Sequence, residues 1–323
     1  MKTDSIVLSI AIPTYNGGQS LERCILSFIE QIEARTELVV SDNCSTDHTQ
    51  KVILDLQARF PGKIRYHRNS ENIGMDRNFD NAVRISSGAY VWILSDDDLV
   101  VDSNAIAKVL KVIKGRFDLG SVFANYENQF IPILQDYEEL NGDEYFKITQ
   151  FKNTLISSTI INRRIWMNLD LRAYYGTYWT HIGYLIHANA KYKSAIVGSE
   201  LVNQMTDLKT ERRWGQNGTF FHVGLDLAQV YSKLADLGYS KETCATAKLY
   251  TFDKLLWNIA LGKALGLSLR WKDVRKCISL YGLYPSYWVI HFPLSFVPRV
   301  FFRQMLFGVR TLKRAKRALH QRG

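Results

Sequence analysis

The chain has 323 residues, 46% of them hydrophobic and 22% charged, a length that fits one large domain or two small ones. That balance excludes a disordered chain, a coiled coil and a multi-span membrane protein. Its 41 Lys and Arg against 31 Asp and Glu give a formal charge of +10, which suits an anionic partner such as nucleic acid, a membrane surface or a phosphorylated substrate. The surplus is not spread evenly: Arg299–Gly323 holds eight basic residues and no acid, so the charge belongs to a tail. Four cysteines (Cys24, Cys44, Cys244, Cys277) lie far apart with no CxxC pair, which argues against a disulfide framework or structural zinc and for a reducing compartment. The N-terminus shows no signal peptide, because the apolar run Ile6–Ile12 stops at Pro13. A protein made in the cytosol and kept on that side is expected.

The first 115 residues alternate strand and helix. Ile6–Ile12 reads as a buried strand, and Leu21, Ile25, Phe28 and Ile32 then recur at helical spacing. Glu37–Ser41 is a second strand, followed by the turn-rich Asp42–Asp47 and a helix that buries Val52, Ile53 and Leu56. Lys63–His67 is a third strand, Met75–Ile85 a third helix, and Ala89–Leu94 a fourth strand running into Ser95-Asp96-Asp97-Asp98. A further helix carries Ile106, Val109, Leu110 and Ile113. Such alternation predicts an α/β fold with a mostly parallel sheet covered by helices. Beyond Asp118 the pattern is mixed, with strand-like runs at GSVFANY and TLISSTII, an aromatic cluster at Tyr174–Trp179, a polar loop over Asn203–Gly218 and a long helix over Ser240–Leu265. The expected organisation is a catalytic domain over 1–218 and a helical region over 219–323.

In open α/β sheets ligands bind outside the carboxyl ends of the strands, and the most polar pieces of this sequence stand at those ends. Three adjacent carboxylates, Asp96, Asp97 and Asp98, repel one another unless a cation lies among them. Hard oxygen donors suit Mg2+ or Mn2+ shared with substrate phosphates. A helix cap is the plainer explanation, but Asp102-Ser103-Asn104 already supplies that cap. Asp42 ends the second strand, where a carboxylate accepts from a base N–H or a ribose hydroxyl. Tyr15, after the first strand, offers a ring for stacking on a base.

Four segments in order, Ser9–Asn16, Val39–Asp47, Asn72–Asn78 and Gly88–Asp98, resemble the motifs of family 2 glycosyltransferases of the GT-A fold and cover about a third of the chain. The resemblance implies that the residue matching Tyr15 packs on the nucleotide base and that Asp42 reads the base edge. Asp96 would face the ribose and donor sugar, Asp97 the metal, and Asp98 would be a second ligand or a support for one. With Pro13, Asn72 and Arg77 from the same motifs, these form the implied nucleotide-sugar and metal site. Ser95 stands where the family's acidic motif has its first Asp. A second departure lies further on: inverting members carry an acidic pair whose Asp is the general base, yet Tyr174–Gly183 holds no carboxylate. His181 is its one group suited to accept a proton near neutral pH; a packed core histidine is the competing reading, and Asp170 is the runner-up base. Arg212 and Arg213, before Trp214, partly match the Gln-x-x-Arg-Trp motif of processive members and would clamp the donor diphosphate. The mechanism implied is single displacement with inversion.

Cys277–Pro298 has no Asp, Glu, Lys or Arg for 22 residues but contains Pro285, Pro293 and Pro298 and several aromatics, which suits the headgroup region better than a bilayer crossing. Beyond it, Phe302, Met305, Leu306, Val309, Leu312 and Leu319 repeat at helical spacing among arginines, the pattern of a peripheral anchor on anionic lipids. The expected protein is thus a transferase on the cytoplasmic face of the plasma membrane. It would use a nucleotide-sugar donor, Mn2+ or Mg2+ and a polyprenyl-diphosphate-linked saccharide acceptor of surface polysaccharide such as O-antigen, loosely similar to the abequosyltransferase-like branch. A nucleic-acid binder is disfavoured because the basic residues crowd into an amphipathic tail. A sugar nucleotidyltransferase is disfavoured because Pro13–Gly18 is not a Gly-rich, Arg-containing phosphate loop. An inactive family member serving as a membrane-bound scaffold is the remaining alternative.

Overall fold

The computed structural model describes residues 5–126, 136–205 and 219–304. The chain divides into two compact units, Met1–Leu208 with Leu234–Thr243, and Lys209–Lys233 with Cys244–Gly323.

The first unit begins with β1 (Leu8–Thr14), α1 (Gly18–Leu26), β2 (Thr36–Asp42), α2 (Thr49–Arg59), β3 (Ile64–Arg68), α3 (Met75–Ile85) and β4 (Tyr90–Ile93). It continues with β5 (Asp98–Val100), α4 (Ala105–Ile113), β6 (Leu119–Tyr126), β7 (Tyr137–Leu140), α5 (Gly142–Thr149), β8 (Thr159–Asn162), α6 (Arg163–Asn168), α7 (Thr180–Asn189) and β9 (Lys193–Gln204). The sheet runs in the order β3-β2-β1-β4-β8-β6-β9-β5, with β7 also paired to β9. β3, β2, β1 and β4 are mutually parallel, whereas β8 lies antiparallel to both β4 and β6. The second half of the sheet is therefore mixed, more so than the strand–helix alternation of the first 115 residues predicts.

Every residue of β1 and of β4 is buried, as expected of strands covered on both faces. α1 and α2 pack together, while α3 packs on β1 and β2 and against α6 and α7. Because β4 lies on the far side of β1 from β2, a right-handed crossover carries α3 to the opposite face from α1 and α2. The strand order reverses between β1 and β4, which opens a crevice outside their carboxyl ends.

The second unit contains α8 (Thr219–Tyr231), α9 (Lys241–Ala264, from Cys244 onward) and α10 (Trp271–Tyr281). Its core gathers Phe221, Leu225, Phe252, Leu255, Ile259, Cys277, Tyr281 and Tyr287. No described helix is long and apolar enough to cross a membrane. The uncharged stretch over 277–298 is instead broken into the end of α10, a π-helical turn at Tyr287–His291 and a short helical turn at Phe292–Leu294. The expected basic helix lies outside the described residues from 305 onward, and so do Arg212 and Arg213.

Candidate active site at the carboxyl ends of β1 and β4

Thr14 ends β1 and Asp96 follows β4, and the two meet across the crevice: the Thr14 hydroxyl donates to Asp96 Oδ2 at 2.5 Å. Gly17 passes so close to both that an added Cβ would collide with Asp96 Oδ2 and Thr14 Oγ1, which explains a glycine at that step. The Asp96 carboxyl is enclosed, although the residue keeps partial exposure. Burial first, and the neighbouring charge of Asp97 second, raise its pKa from 3.8 to about 7, while hydrogen bonds from Thr14 and the Tyr15 backbone pull the other way. Among the described residues no Lys or Arg forms an ion pair with it.

Asp97 accepts from the Ser95 hydroxyl at 2.6 Å, so Ser95, standing in the place of an acid, orients the carboxylate two residues on. Asp98 is placed differently. It belongs to β5, is 1% exposed and accepts from the Ser157 hydroxyl at 2.6 Å, which sets it in the sheet and not beside Asp97 at the surface. Ser157 also holds the Ser95 N–H at 2.8 Å through its hydroxyl and the Trp92 indole N–H at 2.7 Å through its carbonyl. It fixes the whole acidic turn, and no local sequence signal marked it.

These donors suit an open site for a hard divalent cation. Asp96 and Asp97 supply carboxylate oxygens at a strand end, and the raised pKa of Asp96, caused by burial first and by Asp97 second, is the kind of penalty that a bound cation would offset. Among the described residues no three His, Cys, Asp or Glu converge as a closed metal cage. One or two carboxylates with water and phosphate completing the shell is the Mg2+-type arrangement.

Pro13 is buried within β1. The turn after it projects Tyr15 into solvent at 43% exposure, with Asn16 in the left-handed region at φ +55°, where asparagine is tolerated. The Asn16 N–H donates to Ser45 Oγ, and its side chain accepts from the Thr46 N–H, so the β1 turn and the β2 turn brace each other. Asp42 at the end of β2 is fully buried. It accepts from the Ser45 N–H at 2.9 Å and the Tyr66 hydroxyl at 2.7 Å, with Arg68 Nε at 3.6 Å. In this arrangement its carboxylate shapes the turn from within.

A set of asparagines ties these loops to α3. Asn72 Oδ1 accepts from Asn43 Nδ2 and from the Gly74 N–H, and Asn78 links Ser41 and Asn69. Arg77 is exposed, its guanidinium 5.9 Å from the centre of the Tyr175 ring.

The Tyr174–Trp179 loop carries no acid of its own but is held by two carboxylates of α3. Asp76, 4% exposed, accepts from the Gly176 N–H at 2.8 Å, the Tyr178 N–H at 3.0 Å and the Thr180 hydroxyl at 2.8 Å. Asp80 accepts from the Arg84, Trp166 and Tyr175 side chains. Asn78, two residues on in the same helix, donates to the carbonyls of Thr14 and Ser41, so Asp76 ties this loop to the carboxyl ends of β1 and β2. The i, i+4 spacing of the two acids was legible as one helical face, but their partners lie about a hundred residues away.

His181, in the first turn of α7, is 2% exposed. Its ring lies 5.7 Å from that of Trp179 and 6.5 Å from that of Phe79, and Nε2 is 3.4 Å from the Thr154 carbonyl. Burial lowers its pKa from 6.5 to about 4, so the ring is neutral at pH 7. Nδ1 is buried and, among the described residues, has no hydrogen-bond partner. Asp170 is exposed and bound through both oxygens to Arg172 at 2.8 Å. That contact lowers its pKa to about 2, making it a weak base on the link between α6 and the aromatic loop. The structure thus brings together Pro13, Tyr15, Asp42, Asn72, Asp96 and Asp97 around the crevice. It sets Asp98 and His181 inside the fold and Asp170 on the outer surface.

A mixed α/β sheet with an acidic turn at its switch point is the architecture of the GT-A fold. Residues 9–164, just under half of the chain, match the Glycosyl transferase family 2 model. The chain is 31% identical to abequosyltransferase RfbV of Salmonella typhimurium over 55% of this chain and 59% of that protein. It is 33% identical to the GalNAc(5)-diNAcBac-PP-undecaprenol beta-1,3-glucosyltransferase of Campylobacter jejuni over 36% of this chain and 37% of that one. The chain therefore spans less than two thirds of the length of either relative. The mannosyltransferase PcManGT from Pyrobaculum calidifontis, solved in complex with GDP-Man and Mn2+, shares the fold with a TM-score of 0.56 at 15% identity, over 91% of this chain and 85% of that one.

Proposed function

We propose that the chain is a metal-dependent, inverting glycosyltransferase that moves a hexosyl or deoxyhexosyl group from a nucleoside-diphosphate sugar to a saccharide hydroxyl. The observation that carries this reading is the Asp96–Asp97 pair at the β1/β4 crevice, with Asp96 pushed up to about 7 and no cation of the described residues paired to it. Tyr15 is the stacking surface for the base, and Asp42, Asn72, Pro13 and Arg77 form or brace the nucleotide pocket. Arg212 and Arg213 are assigned to the donor diphosphate from their sequence context. Mn2+ or Mg2+ bound at Asp97 and Asp96 would offset the charge developing on the leaving nucleoside diphosphate; Asp98 supports that turn from β5. His181, neutral and at the start of α7, is the proposed proton acceptor for the attacking hydroxyl, ahead of Asp170, whose carboxylate is committed to Arg172.

The similarity to the Salmonella and Campylobacter proteins supports a polyprenyl-diphosphate-linked saccharide as acceptor, in assembly of a surface polysaccharide such as O-antigen. The uncharged aromatic stretch and basic tail support work at an anionic membrane surface on the cytoplasmic side. Calorimetric titration with UDP, GDP, CDP and dTDP, with and without Mn2+, tests the donor site. Metal-dependent binding of one nucleotide that is lost in Asp97→Ala is expected. No binding to folded protein would refute the transferase reading in favour of the scaffold alternative. His181→Gln with intact nucleotide binding and intact turnover would remove His181 from the mechanism.

A further inference from the structure

The stretch that follows α10 has two faces. Tyr281 and Tyr287 are each 1% exposed and Phe302 is 2% exposed, so these side chains build the core of the second unit. Between them, Leu283 is 89% exposed, Val289 77%, Val300 63% and Phe296 61%. Trp288, Phe292 and Phe296 touch in sequence, with ring centres 5.1 and 5.2 Å apart, and so form one continuous aromatic row.

The backbone under this row is closed off from within. Lys263, on α9, is 5% exposed, and its ammonium donates to the carbonyls of Leu294, Ser295 and Val297. All three of its N–H donors are thereby engaged, with the Phe302 ring centre 5.7 Å away. The Trp288 indole N–H donates to the Gly282 carbonyl at 2.8 Å, and Arg299 donates to the Gly266 carbonyl at 3.3 Å. A broken helix would otherwise need water for these carbonyls. Satisfying them internally lets the segment sit where water is scarce. The flanking residues in the chain are basic: Arg275, Arg299 and Arg303 are exposed and no acid follows Asp273, while Asp253 of α9 lies near Tyr284.

We propose that residues 283–301 are a folded wedge that inserts Leu283, Val289, Phe296 and Val300 into the headgroup region of an anionic bilayer, with Lys263 as the latch that sets its shape. This rests on the membrane-surface reading above and adds to it the site of insertion, which precedes the basic tail in the chain. Aromatic and aliphatic side chains flanked by the exposed Arg275, Arg299 and Arg303 match an anionic lipid surface.

The test is co-sedimentation of the full chain with vesicles of phosphatidylcholine containing about 30% phosphatidylglycerol, an anionic surface, at low salt and at roughly 0.5 M NaCl, where charge attraction is screened. Leu283→Asp/Val289→Asp/Phe296→Asp is compared with Leu54→Asp, a control on the exposed side of α2. Binding of wild type and control that largely survives salt, and a loss of roughly 10- to 100-fold in the triple variant, are expected. All three substitutions are at exposed positions, and an unchanged circular dichroism spectrum and denaturation midpoint report that the triple variant is folded. Wild type that does not bind vesicles would overturn both the wedge and the membrane-surface reading. Wild type and triple variant binding equally, with binding abolished by salt, would overturn the wedge alone and leave the tail as anchor. A wild-type dimer that the triple variant converts to monomer, with no difference on vesicles, would reassign the face to self-association.

Discussion

Replacing Asp96 with Asn should stabilise the protein while disabling it, and should do so in a pH-dependent way. Asp96 titrates near 7 in the fold against an ordinary 3.8, chiefly because burial disfavours its charge. The sign follows from linkage: below the ordinary value the carboxyl is protonated folded or unfolded and costs nothing. Between the two values the unfolded chain ionises and the folded site does not, so the penalty grows with pH, and above about 7 it is complete. At about 1.4 kcal/mol per pH unit, the wild type loses up to roughly 3 kcal/mol between pH 5 and pH 8 from this group. The asparagine amide of Asp96→Asn keeps an oxygen to accept from Thr14 and removes the charge. The thermal midpoint of the variant should therefore rise relative to wild type by about 3 to 10 °C more at pH 8 than at pH 5. Differential scanning calorimetry of both proteins at the two pH values reads this directly. An equal gain at both, or destabilisation at pH 8, would refute the argument that Asp96 carries an uncompensated charge.

The same titration predicts that Mn2+-dependent nucleotide binding weakens as pH falls below about 7, by roughly tenfold per unit, measured by calorimetry; a flat profile from pH 5 to 8 would exclude Asp96 as a participant. Asp76→Ala strands the Gly176 and Tyr178 N–H groups and the Thr180 hydroxyl, at a cost of about 2 to 4 kcal/mol, and hydrogen exchange should localise the loosening to residues 174–180. Lys263→Met should cost about 1 to 3 kcal/mol by leaving three carbonyls unpaired, read as a lower denaturation midpoint with nucleotide affinity unchanged.

Much of this architecture is written in local pattern. The third helix is Met75–Ile85 in both sequence and structure, because its apolar spacing is strict and Gly74 and Ser86 bound it. The three carboxylates after β4 stand out in the sequence as clustered like charge, but the structure leaves only Asp96 and Asp97 at the crevice and draws Asp98 into β5. What the sequence hid is long-range. β5 begins at Asp98, a residue that reads as loop, and becomes a strand only because β9 pairs with it. β9 itself was obscured by Gly198, Ser199 and Glu200 in mid-strand. Ser157 and Asp76 carry much of the site's geometry, yet each acts on partners about sixty to a hundred residues away, beyond any periodicity argument.

The proton acceptor is where site chemistry and fold pull in different directions. A base with a pKa near 4 is charged less readily than water-exposed histidine, so His181 stays unprotonated throughout the working range but gains little driving force for accepting a proton. With Nε2 donating to the Thr154 carbonyl, Nδ1 is the nitrogen left to accept; it is buried, with the ring 5.7 Å from that of Trp179 in the loop that Asp76 holds. Catalysis by His181 therefore requires that acceptor binding open the Tyr174–Trp179 loop. Two consequences separate this from a packing role. His181→Gln should lower kcat by about 10²- to 10⁴-fold with nucleotide affinity intact. In the wild type the acid limb of the pH profile should follow Asp96 near 7 and appear in the donor KM, not in kcat. An acid limb in kcat centred near 6.5, the ordinary histidine value, would mean that His181 is solvated during turnover; a His181→Gln variant of full activity would leave it as a core residue and return the search to carboxylates outside the aromatic loop.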